Sequence, residues 1–241
     1  MTRFSICIPT YEMHGYGHIV VNELMHELKM QSFQDFDIVI SDQSNDSKIL
    51  DVVHEHSKDL DIKFMTDLAN RGKATANINK AMRYAEGEII KIMFQDDFFV
   101  NFDALKIISA EFDKGAKWTT NSFTHTTDKK NFFNTKPSYY QDSVITGRNS
   151  IGNPSNISVH RDARVYMDTE LYYIFDCDYY WQLKHKNGMP NVINDVLVCS
   201  RLHPTSMSQD KDVVGLLAKE TEYCCKKYNI KAEDYNFDIH H

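Results

Sequence analysis

The stretch that decides the fold is EIIKIMFQDDFF, residues 88–99. An apolar run ends at Phe94, and Gln95, Asp96 and Asp97 follow it directly. Two adjacent carboxylates are electrostatically costly unless a cation lies beside them. A single aspartate would be enough to cap a following helix. The pair therefore indicates either a helix start or a site for a cation that prefers oxygen ligands, such as magnesium or manganese.

Strands and helices alternate on both sides of this stretch. Apolar runs predict strands, and apolar residues at helical spacing predict helices; the strands are 3–9, 36–42, 62–66 and 88–94, and the helices are 19–31, 47–58, 73–87 and 101–115. Asp46 or Ser47 is the expected N-cap of the second helix, and Gly87 and Gly115 are the expected stops of the third and fourth. This alternation predicts an α/β fold with a mostly parallel, Rossmann-like central sheet flanked by helices.

Three of the predicted strands end in residues that could bind a ligand. They are Pro9, Thr10, Tyr11 and Glu12 at the end of the first strand, Asp42 at the end of the second, and Gln95, Asp96 and Asp97 at the end of the fourth. The carboxyl ends of parallel strands form the ligand-binding edge of such sheets, so we expect these residues on one rim. The topology, and not their spacing along the chain, predicts that they converge.

The second half of the chain has a different character. Residues 117–150 are rich in Thr, Asn, Phe and Tyr without helical periodicity, and they predict strands and loops. The elements expected after them are a short helix at 176–188 that stops at Gly188, a strand at 191–203, and an amphipathic helix at 212–228. The aromatic residues Phe132, Phe133, Tyr139 and Tyr140 predict either stacking on sugars or the core of a short hairpin.

Composition narrows the classes of function. The 241 residues carry a net charge of -7, with 42% hydrophobic and 25% charged residues, as in ordinary globular proteins. No dense Lys/Arg run is present, which argues against a nucleic-acid partner. The five cysteines are scattered without a C-x-x-C spacing, which argues against a disulfide framework or a zinc site. No secretion signal or run of ~20 apolar residues occurs. We expect a cytoplasmic setting and leave open a peripheral membrane contact.

Seven motifs follow one another along about the first 210 residues: SICIPTYE, QSFQDFDIVISDQSNDS, NRGKATANINKAMRYAEGEII, FQDD, GNPSNISVHR, FDCDYYWQLKHKNG and SRLHPTSMS. Each motif is weak alone, but their order resembles the family 2 glycosyltransferases with the GT-A fold. The resemblance implies a small antiparallel region on the acceptor side of the sheet. It also implies an inverting, metal-dependent enzyme that moves a sugar from a UDP- or dTDP-sugar to a hydroxyl of a glycan, lipid-linked or glycoprotein acceptor.

The same resemblance implies a division of the chain. Residues 1–209 would form the GT-A domain, with a nucleotide-binding half, 1–115, and an acceptor and catalytic half, 116–209. Residues 210–241 would be a C-terminal amphipathic helix and tail.

Donor binding is implied for residues at the strand ends. Tyr11 would flank the base, and Asp42 would accept from the N–H of the base ring. Arg71 and Lys73 would lie near the diphosphate. Without the resemblance, Asp42 would be a helix-capping loop residue, and Arg71 and Lys73 a solvated helix start. The full donor set is Pro9, Thr10, Tyr11, Glu12, Asp42, Arg71, Lys73, Gln95 and Asp96.

Metal binding is implied for Asp97 and His203. The ion would be Mn²⁺ or Mg²⁺, with the His203 ring nitrogen completing an oxygen-rich site. Asp96 would contact the ribose or the sugar. Gln95 departs from the family pattern, since many members have an acid there; its amide can hydrogen-bond a ribose hydroxyl but adds no charge.

Asp176 occupies the position of the family's catalytic base. It would take the proton of the acceptor hydroxyl during a single displacement, while the metal stabilises the departing diphosphate. Asp178 lies two residues further along the same predicted helix and would point to another face. Phe175 replaces the family's usual Glu. The alternative role of Asp176 is a helix N-cap.

Two other functions compete with transfer. A nucleotidyltransferase on a related fold would need a basic, Gly-rich loop after the first strand, and PTYEMHGYGH has no Lys or Arg. A non-catalytic protein that binds sugar nucleotides or glycans would be consistent with Gln95 and Phe175.

Overall fold

The computed structural model describes residues 2–203 and 211–235. The strands are β1 (Phe4–Thr10), β2 (Phe36–Asp42), β3 (Ile62–Thr66), β4 (Ile89–Ile92), β5 (Phe98–Phe99), β6 (Trp118–Thr126), β7 (Phe132–Lys136), β8 (Ile157–His160) and β9 (Asn191–Arg201). The helices are α1 (Gly17–Met30), α2 (Lys48–His56), α3 (Ala74–Tyr84), α4 (Ala104–Asp113), α5 (Phe175–Asn187), α6 (Lys211–Val214) and α7 (Leu217–Tyr228).

All these strands belong to one mixed sheet. Its order is β3-β2-β1-β4-β8-β6-β9-β5, and β7 pairs with β6 outside this path. The four strands from the first half, β1 to β4, are parallel to one another. Antiparallel pairing begins where β8 joins β4 and continues between β8 and β6. The predicted fold class, a parallel α/β sheet with an antiparallel region in the second half, is confirmed.

The parallel strands are covered on both faces. Every residue of β1 and β2 is buried, which explains why these strands are nearly continuous apolar runs in the sequence. Successive side chains alternate between the faces, so that Ile6 and Ile8 pack with Leu24 of α1, while Cys7 packs with Ile78 of α3. The sheet therefore separates two hydrophobic cores, and its ends are the places where polar groups can gather.

Helix ends follow the sequence in most places. Ser47 is the N-cap residue of α2, and Asp46, just before it, accepts from the backbone N–H of Lys48 through Oδ1 at 3.1 Å. Gly115 and Gly188 have φ of +91° and +85° and terminate α4 and α5, as predicted. The prediction that Gly87 stops α3 is wrong, because α3 ends at Tyr84.

Gly87 has a different role, which is close backbone packing. A Cβ at this position would lie 2.5 Å from the carbonyl carbon of Phe4 and 2.5 Å from the nitrogen of Ser5. The N–H of Gly87 also donates to Ser5 Oγ at 2.8 Å. Glycine is required here by contact with β1 and not by a left-handed helix end.

The C-terminal helix is interrupted and packs onto the rest of the chain. The predicted single helix at 212–228 is instead α6 and α7. Cys224 of α7 is fully buried in the same core as Ile78 of α3 and Leu183 of α5. In the part of the chain that the structure describes, no helix combines the length and apolar character that crossing a bilayer requires. The proposed division at residue 209 remains a prediction.

Gly87→Ala should destabilise the protein by about 1–3 kcal/mol, because the added methyl group overpacks the contact with β1. Urea denaturation followed by circular dichroism measures this. The control is Glu86→Ala, whose side chain is 81% exposed; it should change the free energy of unfolding by less than about 0.5 kcal/mol. Equal effects of the two substitutions would contradict the packing role of Gly87.

Candidate active site

The ends of β1 and β2 place Asp42 on the rim. Pro9 and Thr10 end β1 and are buried, and Thr10 pairs in register with Asp42. Thr10 Oγ1 and Ser44 Oγ both donate to Asp42 Oδ1, at 2.8 and 2.7 Å. Asp42 is 3% exposed, and burial raises its pKa. No hydrogen bond among residues 2–203 and 211–235 uses Asp42 Oδ2, so this oxygen is available to a ligand.

Gln95 ties two of the strand ends together. Its Oε1 accepts from the backbone N–H of Tyr11 at 2.9 Å, and its Nε2 donates to the carbonyl oxygen of Tyr11 at 3.1 Å. The Tyr11 side chain remains 41% exposed. Burial, followed by the charges of Asp96 and Glu12 and by Tyr172, raises the pKa of the Tyr11 phenol. Gln95 thus holds Tyr11 at the rim, and its amide is already engaged in doing so.

Arg71 and Glu12 form an ion pair across the rim. Arg71 Nη1 donates to Glu12 Oε2 at 2.9 Å, Nη2 contacts Oε1, and Nη1 also reaches the carbonyl oxygen of Gln43. This pairing lowers the pKa of Glu12 to about 2. Gly72 follows with φ of +86°. The Arg71 guanidinium is therefore held by the protein itself, next to the place where a diphosphate was expected.

Lys73 lies at the start of α3 and is exposed. It lines a small cavity of about 130 Å³ together with Thr75, Tyr172 and Phe175.

The two adjacent aspartates have different environments. His203 Nε2 lies 3.3 Å from Asp96 Oδ2, and the two side chains are 23% and 20% exposed. Asp97 is 3% exposed. Its Oδ2 accepts from Asn153 Nδ2 at 2.6 Å, and its Oδ1 accepts from the N–H of Arg201 at 3.3 Å. Burial and the neighbouring Asp96 raise the pKa of Asp97. The structure thus brings His203 to Asp96, whereas the sequence grouped it with Asp97.

These side chains fit a divalent cation that is shared with a ligand. Asp96 and His203 converge, remain partly exposed, and offer an oxygen and a nitrogen. Both oxygens of the buried Asp97 are engaged by protein donors. Within the described ranges, no three His, Cys, Asp or Glu side chains form a metal cage. A cation here would therefore need further ligands from a bound substrate or water.

Asp176 is the second residue of α5 and is partly buried. Its Oδ2 accepts from Asn149 Nδ2 at 2.7 Å, and its Oδ1 accepts from the N–H of Cys177 at 2.8 Å. Burial raises its pKa to about 6. The N-cap of α5 is Ile174, which excludes the N-cap role for Asp176.

Asp178 has a structural environment instead. It is fully buried. Its carboxylate accepts from Lys227 Nζ at 2.9 Å, from Tyr228 Oη at 2.6 Å and from Gln182 Nε2 at 2.7 Å. The expectation that Asp176 and Asp178 differ in role agrees with these surroundings.

One short segment joins Asp176 to Asp97. We call residues 149–153 the bridging segment, because Asn149 at its start binds Asp176 and Asn153 at its end binds Asp97. Four residue steps span at most ~14 Å. The two carboxylates are therefore held from the two ends of one short segment. Sequence analysis assigned no role to either asparagine, since each contact crosses to a distant element.

The bridging segment is fixed internally. Asn149 Oδ1 accepts from the N–H groups of Ile151 and Gly152 at 2.9 and 3.0 Å, and its NH₂ group donates both to the carbonyl oxygen of Gly152 at 2.8 Å and to Asp176. Tyr180 Oη of α5 donates to the carbonyl oxygen of Gly152 at 2.8 Å.

Comparison with known proteins identifies the family of this chain. Residues 5–182 match the family described as glycosyl transferase family 2. The chain belongs to this family. The recognition made from sequence motifs, and with it the glycosyltransferase class, is confirmed.

Relatives within the family 2 glycosyltransferases include TarS. The poly(ribitol-phosphate) beta-N-acetylglucosaminyltransferases TarS of two Staphylococcus aureus strains are 29% identical over 116 residues, which is 47% of this chain and 19% of each relative. The matched part of this chain thus covers about a fifth of their length.

Solved structures share the fold. S. aureus TarS 1–349 in complex with UDP has a TM-score of 0.69 at 18% identity, covering 97% of this chain and 68% of that one. The mannosyltransferase PcManGT from Pyrobaculum calidifontis, in complex with GDP-Man and Mn²⁺, has a TM-score of 0.65 at 14% identity, covering 97% of this chain and 74% of that one. These likenesses show the GT-A fold alone.

A buried lysine supports the site in this member of the family. Lys91 of β4 is fully buried. Its Nζ contacts the carbonyl oxygen of Ser155 and lies 3.5 Å from that of Ile157. Ser155 Oγ in turn accepts from the N–H of Phe94, just before the acidic pair. Burial lowers the pKa of Lys91 to about 7. The sequence could have indicated this role, because Lys91 is a lysine inside an otherwise apolar strand.

The aromatic residues after β6 divide between core and surface. Tyr140 is buried and packs edge-on against Trp118, with ring centroids 6.3 Å apart. Tyr139 is 49% exposed, and two hydrogen bonds with Ser150 attach its backbone to the bridging segment. Phe132 and Phe133 are also exposed. The core interpretation therefore holds for Tyr140, while Tyr139 keeps an exposed side chain next to the bridging segment.

Asn149→Ala should weaken folding more near pH 8 than near pH 5. The amide stabilises ionised Asp176, whose pKa is about 6; without it the folded-state pKa rises, so the loss is present above that pKa and disappears below it. We expect an extra loss of about 1–2 kcal/mol near pH 8, measured by urea denaturation at both pH values.

The matched control is Asn131→Ala. This exposed amide donates to Asp128 Oδ2 at 2.8 Å, and the pKa of Asp128 is already lowered to about 2 by hydrogen bonds from the Asn131 and Lys130 N–H groups. Its effect should be the same at both pH values. A pH-independent loss for Asn149→Ala would contradict its role toward Asp176.

Proposed function

We propose that this chain carries the active site of an inverting, metal-dependent glycosyltransferase. The enzyme would transfer a sugar from a UDP- or dTDP-sugar to a hydroxyl of a glycan, lipid-linked or glycoprotein acceptor. The observation that supports this most directly is the bridging segment, which holds the rim acid Asp97 at one end and the candidate base Asp176 at the other. A donor bound at the rim would thereby have a proton acceptor within reach.

The nucleotide is proposed to bind at the ends of β1 and β2. Asp42 Oδ2 would accept from the N–H of the base ring, Tyr11 would stack beside the base, and Lys73 would approach the diphosphate. The neighbouring S. aureus TarS 1–349 fold has been solved with UDP and with UDP-GlcNAc. UDP-GlcNAc is therefore the first donor to test, followed by dTDP-sugars.

The metal is proposed to be held by Asp96 and His203. When bound, Mn²⁺ or Mg²⁺ would neutralise charge that develops on the departing nucleoside diphosphate. Asp97 would keep the local potential negative from its buried position, and Lys91 would hold the backbone behind it. The Mn²⁺ complex of the related PcManGT fold supports this choice of ion.

Asp176 is proposed as the general base. A pKa of about 6 leaves most of its carboxylate ionised at neutral pH yet still close to the working pH, which favours proton acceptance. Asn149 fixes its orientation, and one displacement at the anomeric carbon inverts configuration. Tyr139 would offer an exposed ring to an acceptor sugar next to this carboxylate.

Asp176→Asn should reduce transfer by about 10²–10⁴-fold, because the amide cannot accept the proton. The donor dissociation constant should stay within about twofold, since the rim is unchanged. Turnover is measured with UDP-GlcNAc and a panel of acceptors, and donor binding by calorimetry. In the wild type the rate should fall as the pH drops below about 6.

The matched control is Asp162→Asn, an aspartate whose side chain is 76% exposed. It should leave turnover and donor affinity unchanged. Donor binding without turnover in the wild type would instead support the non-catalytic alternative, and retained turnover in Asp176→Asn would remove Asp176 from the role of base.

Asp96→Asn and His203→Ala should each weaken Mn²⁺ binding in the presence of UDP by about tenfold or more, because each removes one proposed ligand. Calorimetric titration of Mn²⁺ into the protein with UDP measures this. His54→Ala, an exposed histidine on α2, is the control. Unchanged Mn²⁺ affinity in both site variants would show that the ion binds elsewhere.

A further inference from the structure

Glu220 of α7 binds the segment that leads into α5. Its Oε1 accepts from the N–H of Tyr172, and its Oε2 accepts from the N–H groups of Tyr173 and Ile174, all at 2.9 Å. Glu220 is 7% exposed. Three consecutive backbone N–H groups that converge on one carboxylate form a strong, directional contact. It links residues that are 46 to 48 positions apart.

We call residues 168–178, which lead into α5 and include its first turn, the cleft segment. Lys227 of α7 binds this segment at both ends. Lys227 Nζ donates to Asp168 Oδ2 at 2.7 Å and to Asp178 Oδ1 at 2.9 Å. Tyr223 Oη adds a bond to Asp168 at 3.0 Å. Helix α7 therefore holds the cleft segment at its start, middle and end.

The cleft segment carries groups that face the candidate site. Tyr172 and Phe175 line the cavity that Lys73 also lines, and Asp176 is the next residue. The N-cap of α5, Ile174, has no capping side chain of its own. Glu220 supplies a negative group at this helix start, where unpaired N–H groups and the helix dipole favour one.

We propose that Glu220 is a positioning residue for the transfer reaction. By holding the N–H groups of residues 172–174, it fixes the wall of the cleft and the start of α5, and thereby the direction in which Asp176 faces the acceptor. This inference rests on the proposed function of Asp176. On this proposal α7, which lies beyond the family match at 5–182, contributes a positioning residue to the site.

The carboxylate group itself is essential to this role. Glu220→Gln preserves the volume of the side chain but replaces one acceptor oxygen with an NH₂ group. That NH₂ group would face a backbone N–H, so at least one of the three bonds is lost. The segment should shift while α7 stays packed through Cys224 and Lys227.

The test compares Glu220→Gln with Glu222→Gln in the full chain. Glu222 lies on the same helix, is 65% exposed and pairs only with Lys226 in the described structure. Three quantities are measured: kcat with saturating donor, donor dissociation constant, and amide hydrogen exchange of residues 171–175. Thermal melts confirm that both variants are folded.

We expect Glu220→Gln to lower kcat by about tenfold or more, since a small displacement of a catalytic group is costly. The donor dissociation constant should stay within about twofold, and the acidic limb of the kcat–pH profile should move, because the surroundings of Asp176 change. Exchange of residues 171–175 should accelerate. Glu222→Gln should match the wild type in every measurement.

Two results would overturn the proposal: an unchanged kcat in Glu220→Gln, or a donor affinity that falls as much as kcat does. If the wild type transfers no sugar, the proposed function fails, and hydrogen exchange alone then tests whether Glu220 holds residues 171–175. Unchanged exchange would then refute the contact, and faster exchange in Glu220→Gln only would support it.

Discussion

The arrangement of the site depends on two asparagine amides that hold two carboxylates from one short segment. A carboxylate near a sheet edge loses part of its hydration, and directional donors compensate for that loss. Asn149 and Asn153 provide these donors to Asp176 and Asp97. Because the segment between them is short and internally hydrogen-bonded, the spacing of the two carboxylates is set by backbone geometry and not by flexible side chains.

The sheet makes this arrangement possible by changing direction next to β4. The parallel half supplies the rim from the ends of β1, β2 and β4, while β8 joins β4 antiparallel and brings its preceding residues back to the same edge. Lys91 reinforces this junction from inside, by contacting carbonyl oxygens of Ser155 and Ile157, which lie just before the β4–β8 pairing. A buried ammonium is costly unless such acceptors satisfy it. Its presence here indicates that the junction needs a fixed backbone.

Sequence patterns predicted the elements and the identity of the rim residues well. The strands β2 and β3 were predicted with their observed bounds, because each is a short run rich in apolar residues between clear breaks. The partners of the rim residues were not predicted. The contacts of Asn153 with Asp97, of Glu220 with Ile174, and of His203 with Asp96 join positions 46 to 107 residues apart. The periodicity of apolar residues along a helix or strand carries no information about such pairs, because only the fold brings them together. The prediction that Gly87 stops α3 was wrong for a related reason, because glycine is required there by contact with β1 and not by the helix.

The residues that we propose to carry the chemistry and those that hold them in place therefore lie in different parts of the sequence. The acidic pair and Asp176 stand in motifs that resemble those of family 2 glycosyltransferases. Glu220 and Lys227 lie on α7, where no motif marks them, yet they hold both flanks of the helix start that bears Asp176. A carboxylate that binds three backbone N–H groups can be replaced in evolution by any other group that satisfies them, so its identity is less constrained than that of a proton acceptor. Motifs consequently report which reaction a site supports, while the precision of that site depends on distant contacts that must be read from the structure.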